Sequence, residues 1–169
     1  MSIQASTIEN KNNRAVTLLV MVAALGYFVD IFDLLLFGMV RISSLKDLGV
    51  NDALLESIGL RLDNWQMLGM LVGGIFWGIL GDKKGRLSVL FGSILTYSIA
   101  NTLNSYVQTI PQYEILRFIA GFGLAGELGA GVTLVSESMS KEKRGYGTTI
   151  IASVGVIGAV VASGFAHKF

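Results

Sequence analysis

Four ionisable residues lie inside otherwise apolar runs: Asp30 and Asp33 within residues 16–40, and Arg117 and Glu127 within residues 112–135. A charge at the centre of a membrane helix costs on the order of 2.5–3.5 kcal/mol, so such residues usually act on an ion or a polar solute. Asp30 and Asp33 are three residues apart, which puts them on one helix face. Two carboxylates in a poorly solvated site disfavour double ionisation, as a proton carrier requires. Arg117 offers a fixed positive charge to an anionic solute or to one of these aspartates. The structural alternative is a set of satisfied ion bridges that only hold helices together.

Helices must position these groups. The chain is 52% hydrophobic with a mean hydropathy of +0.62, more apolar surface than 169 residues can hide without lipid. Five apolar runs of about 20 residues stand out, at 16–40, 63–81, 87–107, 112–135 and 146–166. They are continuous, not alternating, which argues for helices over strands. The expected fold is an all-α integral membrane protein with five transmembrane helices. A polar N-terminus, residues 1–15, precedes them, and residues 16–166 form the bundle. The first run is too long for a cleaved secretory segment. The polar stretch 41–62 is expected to be an external loop holding one short amphipathic turn or helix.

Other chemistries lack the residues they need. Thirteen basic against twelve acidic residues give no global field for nucleic acid. With no cysteine and a single histidine, His167 near the C-terminus, there is no ligand set for a metal. The spans hold no nucleophile–base pair, so an enzyme is not expected. Gly121-Phe-Gly-Leu-Ala-Gly126 fits a dinucleotide-binding pattern, but that pattern works only between a strand and a helix. No cofactor is expected. Gly69/Gly73 and Gly74/Gly78 have the four-residue spacing that lets membrane helices approach closely, and are read as packing sites.

The loop charges set the orientation. With the N-terminus cytoplasmic, the inside carries Lys11, Arg14, Lys83, Lys84, Arg86, Lys141, Lys143 and Arg144, and the outside carries Arg41, Lys46, Arg61 and Lys168. The inside excess supports that topology. Asp33 then lies about 10 Å below the outer end of the first helix, and Arg117 about 7–8 Å below the outer end of the fourth. Their depths match, so Asp33 is expected to alternate between a proton and Arg117. Glu127 is about 15 Å deeper than Arg117 and is assigned to another part of the pathway.

Several motifs now carry a likeness. Gly78-x-x-x-Asp82-Lys83-x-Gly85-Arg86 resembles the loop signature between the second and third helices of the major facilitator superfamily. Arg117-Phe-Ile-Ala-Gly121-Phe-Gly123-Leu-Ala-Gly126-Glu127 resembles its fourth-helix signature, and Glu137 with Arg144-Gly145 resembles the loop before its fifth helix. Gly26-Tyr27-Phe-Val-Asp30-Ile-Phe-Asp33 is similar to the first helix of its organic-anion and metabolite carriers. The closest likeness is to the sugar-porter-like and metabolite:proton symporter branches. Leu87 stands where the loop signature usually has a second basic residue, and the fifth run lacks the Gly-Pro pair of drug antiporters, which favours symport.

The resemblance implies twelve helices in two bundles of inverted three-helix repeats, with substrate bound at the midplane between them. The five runs would then be an incomplete N-terminal bundle whose partners are the lipid bilayer, the missing C-terminal bundle and a small substrate, an organic anion or sugar-like metabolite. Tyr27, Asp30, Asp33, Arg117 and Glu127 would line the proton and substrate pathway, with the proton as coupling ion. Gly78, Asp82, Lys83, Gly85, Arg86, Glu137 and Arg144 would form a cytoplasmic gate, with Arg86, Glu137 and Arg144 as its latch. The implied location is the bacterial inner membrane, and the chain alone is not expected to transport. A small membrane interaction protein that binds other spans through glycine-rich helices is the rival reading.

Overall fold

A computed structural model describes residues 2–139, 141 and 144–166. His167, Lys143 and Lys168 lie outside the described residues. Five long helices follow one another: α1 Ser2–Asp47, α2 Leu55–Lys84, α3 Arg86–Asn104, α4 Ile110–Ser138 and α5 Arg144–Ala166. The described residues contain no strand. Each apolar run forms the body of one helix. Among the described residues three stretches, Val16–Asp47, Ile110–Ser138 and Arg144–Gly164, are long and apolar enough to cross a membrane by length and composition.

The polar stretch 41–62 departs from the expected loop. α1 continues to Asp47 and α2 begins at Leu55, so only a short turn and one 3-10 turn, Asp52–Leu54, separate them. Gly49, at φ 77°, takes the left-handed conformation that ends α1 and returns the Val50 N–H to the Leu45 carbonyl at 3.1 Å. Asn51 then caps the 3-10 turn, its side chain accepting from the Ala53 N–H at 3.1 Å. Both arginines of this stretch are paired with acids on neighbouring helices. Arg41 bonds Asp63 across α1 and α2, and Arg61 lies 2.5 Å from Glu114 across α2 and α4.

The chain divides into two compact units, residues 34–131 and the described residues of 1–33 with 132–169. In the first, α2 has its membrane polarity turned inside out. Its buried positions are Leu55, Gly59, Leu62, Gln66, Gly69, Gly73, Trp77 and Gly81, a stripe at spacings of three and four. Met67, Leu71, Ile75 and Ile79 on the other side are more than half exposed. Hydrophobicity therefore does not select the packed face; smallness does, as in lipid. Gly69 and Gly73 lie against the backbone of Phe118 and Phe122 on α4. In return Gly121 of α4 lies against the Gln66 backbone, and a Cβ on Gly123 would come 2.6 Å from the Tyr97 nitrogen on α3. Gly126 makes room for Ser93 and the Trp77 indole, whose Nε1–H donates to the Phe122 carbonyl at 2.8 Å. The Gly121–Gly126 pattern is thus a two-sided packing face within a helix. Gly74 and Gly78 do not pack as expected: open space faces both.

In the second unit, Val20, Ala24, Val135 and Ile151 form a buried cluster bordered by Val16, Tyr27, Met139 and Val154. The Tyr27 ring fills the notch left by Gly155 on α5, and Gly158 lies 2.5 Å, measured from an added Cβ, from the Phe28 carbonyl.

Candidate functional site

Arg117 and Gly121 are one turn apart on the same face of α4. Because Gly121 has no side chain, the α2 backbone at Gln66 can close onto α4. That approach brings the Gln66 amide to the arginine. Arg117 Nη1 donates to Gln66 Oε1 at 3.4 Å, and Nη2 donates to Asn101 Oδ1 of α3 at 3.1 Å. The centre of the Phe37 ring of α1 lies 3.8 Å from the guanidinium carbon, and that of the Tyr113 ring lies 5.9 Å away. Phe37 and Tyr113 meet edge to face at 6.0 Å. Elements α1 to α4 each contribute a group to one cation that is only 5% exposed.

Such a site orients a positive charge through two amide oxygens and the electron-rich face of a ring. The amides themselves add no negative charge to the guanidinium. Charge in the sequence gives no sign of Gln66 or Asn101, because an amide carries none. The signal for Gln66 was its place on the glycine stripe, three residues before Gly69 and four after Leu62.

The other expected pathway residues are spread over both units. Asp30 is buried at 2% exposure and Asp33 is half-buried, both on α1 in the unit that holds Tyr27. Glu127 is half-buried on α4 beside Gly126, in the unit of Arg117.

The charged turn is tighter than a loop. α2 runs through Asp82, Lys83 and Lys84, and Gly85 alone joins it to α3. Gly85 adopts φ 88° and ψ 149°, a conformation open essentially to glycine alone. Its N–H still reaches the Gly81 carbonyl at 3.0 Å. Arg86 pairs with Asp82 at 2.8 Å, folding back over Gly81, where a Cβ would come 2.8 Å from its Nη1. Lys83 and Lys84 are exposed in the last turn of α2. Glu137 is exposed in the last turn of α4, and Arg144 opens α5 with its Nε donating to the Met139 carbonyl at 3.2 Å. Among the described residues no group of three or more histidine, cysteine or acidic side chains could hold a metal ion.

Comparison with known proteins gives this geometry a context. The family model described as Major Facilitator Superfamily matches residues 17–168. A protein of Haemophilus influenzae assigned to metabolite transport is 36% identical over 142 residues, 82% of this chain and 34% of its own length. The niacin transporter NiaP of Acinetobacter baylyi is 31% identical over 86% of this chain and 32% of its own. The sialic acid transporter NanX of Escherichia coli is 27% identical over 87% of this chain and 35% of its own. The chain thus spans about one third of the length of the curated relatives it matches.

Proposed function

The chain belongs to the Major Facilitator Superfamily of membrane transporters, and from that premise we propose that it is the N-terminal part of a proton-coupled symporter for a small organic anion or sugar-like metabolite. The observation that carries this reading is Arg117, a buried guanidinium held by neutral amides in an apolar helix. A fixed cation in that setting suits an anionic solute or a titrating carboxylate. Niacin and sialic acid, named for two relatives, both bear a carboxyl group, which supports an organic anion over a neutral sugar.

In this reading all five helices span the bacterial inner membrane with the N-terminus cytoplasmic. A C-terminal bundle completes the central cavity, and alternating access moves the substrate through it. Asp30 and Asp33 handle the coupling proton, with Asp33 exchanging between that proton and Arg117; Tyr27 and Glu127 line the pathway. Gly78, Asp82, Lys83, Gly85, Arg86, Glu137 and Arg144 form the cytoplasmic gate. Its Asp82–Arg86 pair has the geometry of a staple that a latch needs.

The test is uptake of a panel of small carboxylic acids into energised vesicles carrying the transporter as its gene encodes it. Asp33→Asn should abolish accumulation against a gradient, and Arg117→Gln should lower acid uptake by about tenfold or more, the scale of a lost charge-assisted contact. Normal accumulation by both variants would overturn the reading.

One observation favours the rival. Gly74 and Gly78 present a small-residue face with open space before it, as a protein that binds other spans would. Its signature would be a stable complex with another membrane protein and no solute uptake.

A further inference from the structure

Arg61 is a cation on the outer surface of α2 whose guanidinium is only partly used. Its Nε lies 2.5 Å from Glu114 Oε1, and among the described residues it has no second acidic partner. A guanidinium carries five N–H donors, so engagement at Nε leaves the Nη edge for something else. The Arg61 side chain is 55% exposed and that of Glu114 15%, which places the acid on the protein side and the fork at the surface.

The surface below the fork is graded. Trp65, Leu68 and Val72 follow Arg61 at intervals of four, three and four residues, the spacing of one helix face, and all three are exposed. Trp65 is held edge to face against Phe118 of α4 at 6.2 Å, and Ile115, next to Glu114 on α4, is exposed as well. From Arg61 to Lys83 the helix rises about 33 Å, close to the roughly 30 Å of a hydrocarbon core. Arg61 then stands at the level of the headgroups. Trp65 is about 6 Å deeper, in the zone that indole rings favour, and the aliphatic side chains lie deeper still. Cation, indole and aliphatic surface follow in the order of phosphate, glycerol and acyl chain in a phospholipid. The planar fork also matches two oxygens of one phosphate.

We propose that the face of α2 from Arg61 to Val72 seats one phospholipid, its phosphate on the Nη edge of Arg61 and an acyl chain along Trp65, Leu68 and Val72. Glu114 orients the fork through Nε, so the seated lipid and α4 share one arginine. The seat rests on the reading of α2 as a membrane span.

The test uses the transporter as its gene encodes it, purified in detergent and titrated with phosphatidylglycerol, with diacylglycerol of the same chains and with inorganic phosphate. Bound lipid is counted by native mass spectrometry, and the thermal midpoint is followed in parallel. Arg61→Gln should weaken the tightest phosphatidylglycerol site by about tenfold or more, the scale of a lost charge-assisted contact. Arg61→Lys keeps the charge without the fork and should lose less, as should Trp65→Leu. Lys46→Gln, which removes an exposed cation elsewhere, should leave the site unchanged. Diacylglycerol should not distinguish the parent from Arg61→Gln. Undiminished phosphatidylglycerol binding by Arg61→Gln, or equal protection by inorganic phosphate alone, would overturn the seat. So would a cross-link from a photoreactive residue in place of Arg61 to another span, of the same chain or of a second copy, because that span would then occupy the face. Should Arg61→Gln not yield folded protein, unchanged lipid affinity in both Arg61→Lys and Trp65→Leu overturns it instead. Acid uptake by the parent keeps the two readings apart: a parent that carries no acid yet loses lipid through Arg61→Gln removes the proposed function and leaves the seat, and the reverse pattern removes the seat alone.

Discussion

The two compact units use glycine in different ways. In residues 34–131, Gly69, Gly73, Gly121 and Gly123 each face the backbone of another helix, while Gly59, Gly81, Gly92 and Gly126 face side chains. In the other unit, Gly147 faces Met139 and Val135, and Gly155 faces the Tyr27 ring. Gly158, against the Phe28 carbonyl, is the exception there. A backbone cannot move aside without shifting a whole helix, whereas a methionine can change rotamer. The unit around Arg117 is therefore built to hold a fixed geometry, and the unit with Asp30 and Asp33 has packing that can adjust. Arg117 belongs to the first unit, and Asp30 and Asp33 to the second.

Substitutions can break this comparison. The largest effect is expected for Gly121→Ala, whose methyl would collide with the Gln66 carbonyl. Overpacking against backbone should cost about 1–3 kcal/mol or more, read as a fall of several degrees in the thermal midpoint of the purified protein. Gly147→Ala should cost less than about 1.5 kcal/mol, because the atoms it meets belong mainly to the flexible Met139 side chain. Equal losses for these two variants would erase the distinction between the units. Gly74→Ala meets nothing within 4 Å and should be neutral or gain up to about 0.5–1 kcal/mol from helix propensity. A clear destabilisation there, measured in the same melting experiment, would mean that the open face is occupied in the membrane and would sharpen the comparison to include that contact.

The parts of the fold set by bulk polarity were legible in the sequence. Uncharged runs become helix bodies, and the apolar surroundings of the Gly121–Gly126 pattern argue against a nucleotide site. What escaped were features decided by pairing. Arg41 and Arg61 look like loop residues one at a time, but once Arg41 meets Asp63 and Arg61 meets Glu114 the helices can continue through them. Gln66 and Asn101 escaped for the opposite reason: they carry no charge to register, and their importance lies in a partner 51 or 16 residues away. Gly74 and Gly78 show the limit of spacing as a signal, since the same four-residue interval that packs Gly69 and Gly73 leaves them facing open space.

The one-residue connection at Gly85 has a mechanical consequence. A single residue spans at most about 3.6 Å, so the C-terminal end of α2 and the start of α3 have no slack with which to part. The Asp82–Arg86 pair clamps the same corner. Relative motion of these two helices is confined to pivoting, like the legs of a pair of compasses, with Gly85 at the point and the widest travel near Leu55 and Asn104. That pivot is checked further along both helices, where Arg117 ties Gln66 to Asn101 and keeps the geometry around the arginine fixed.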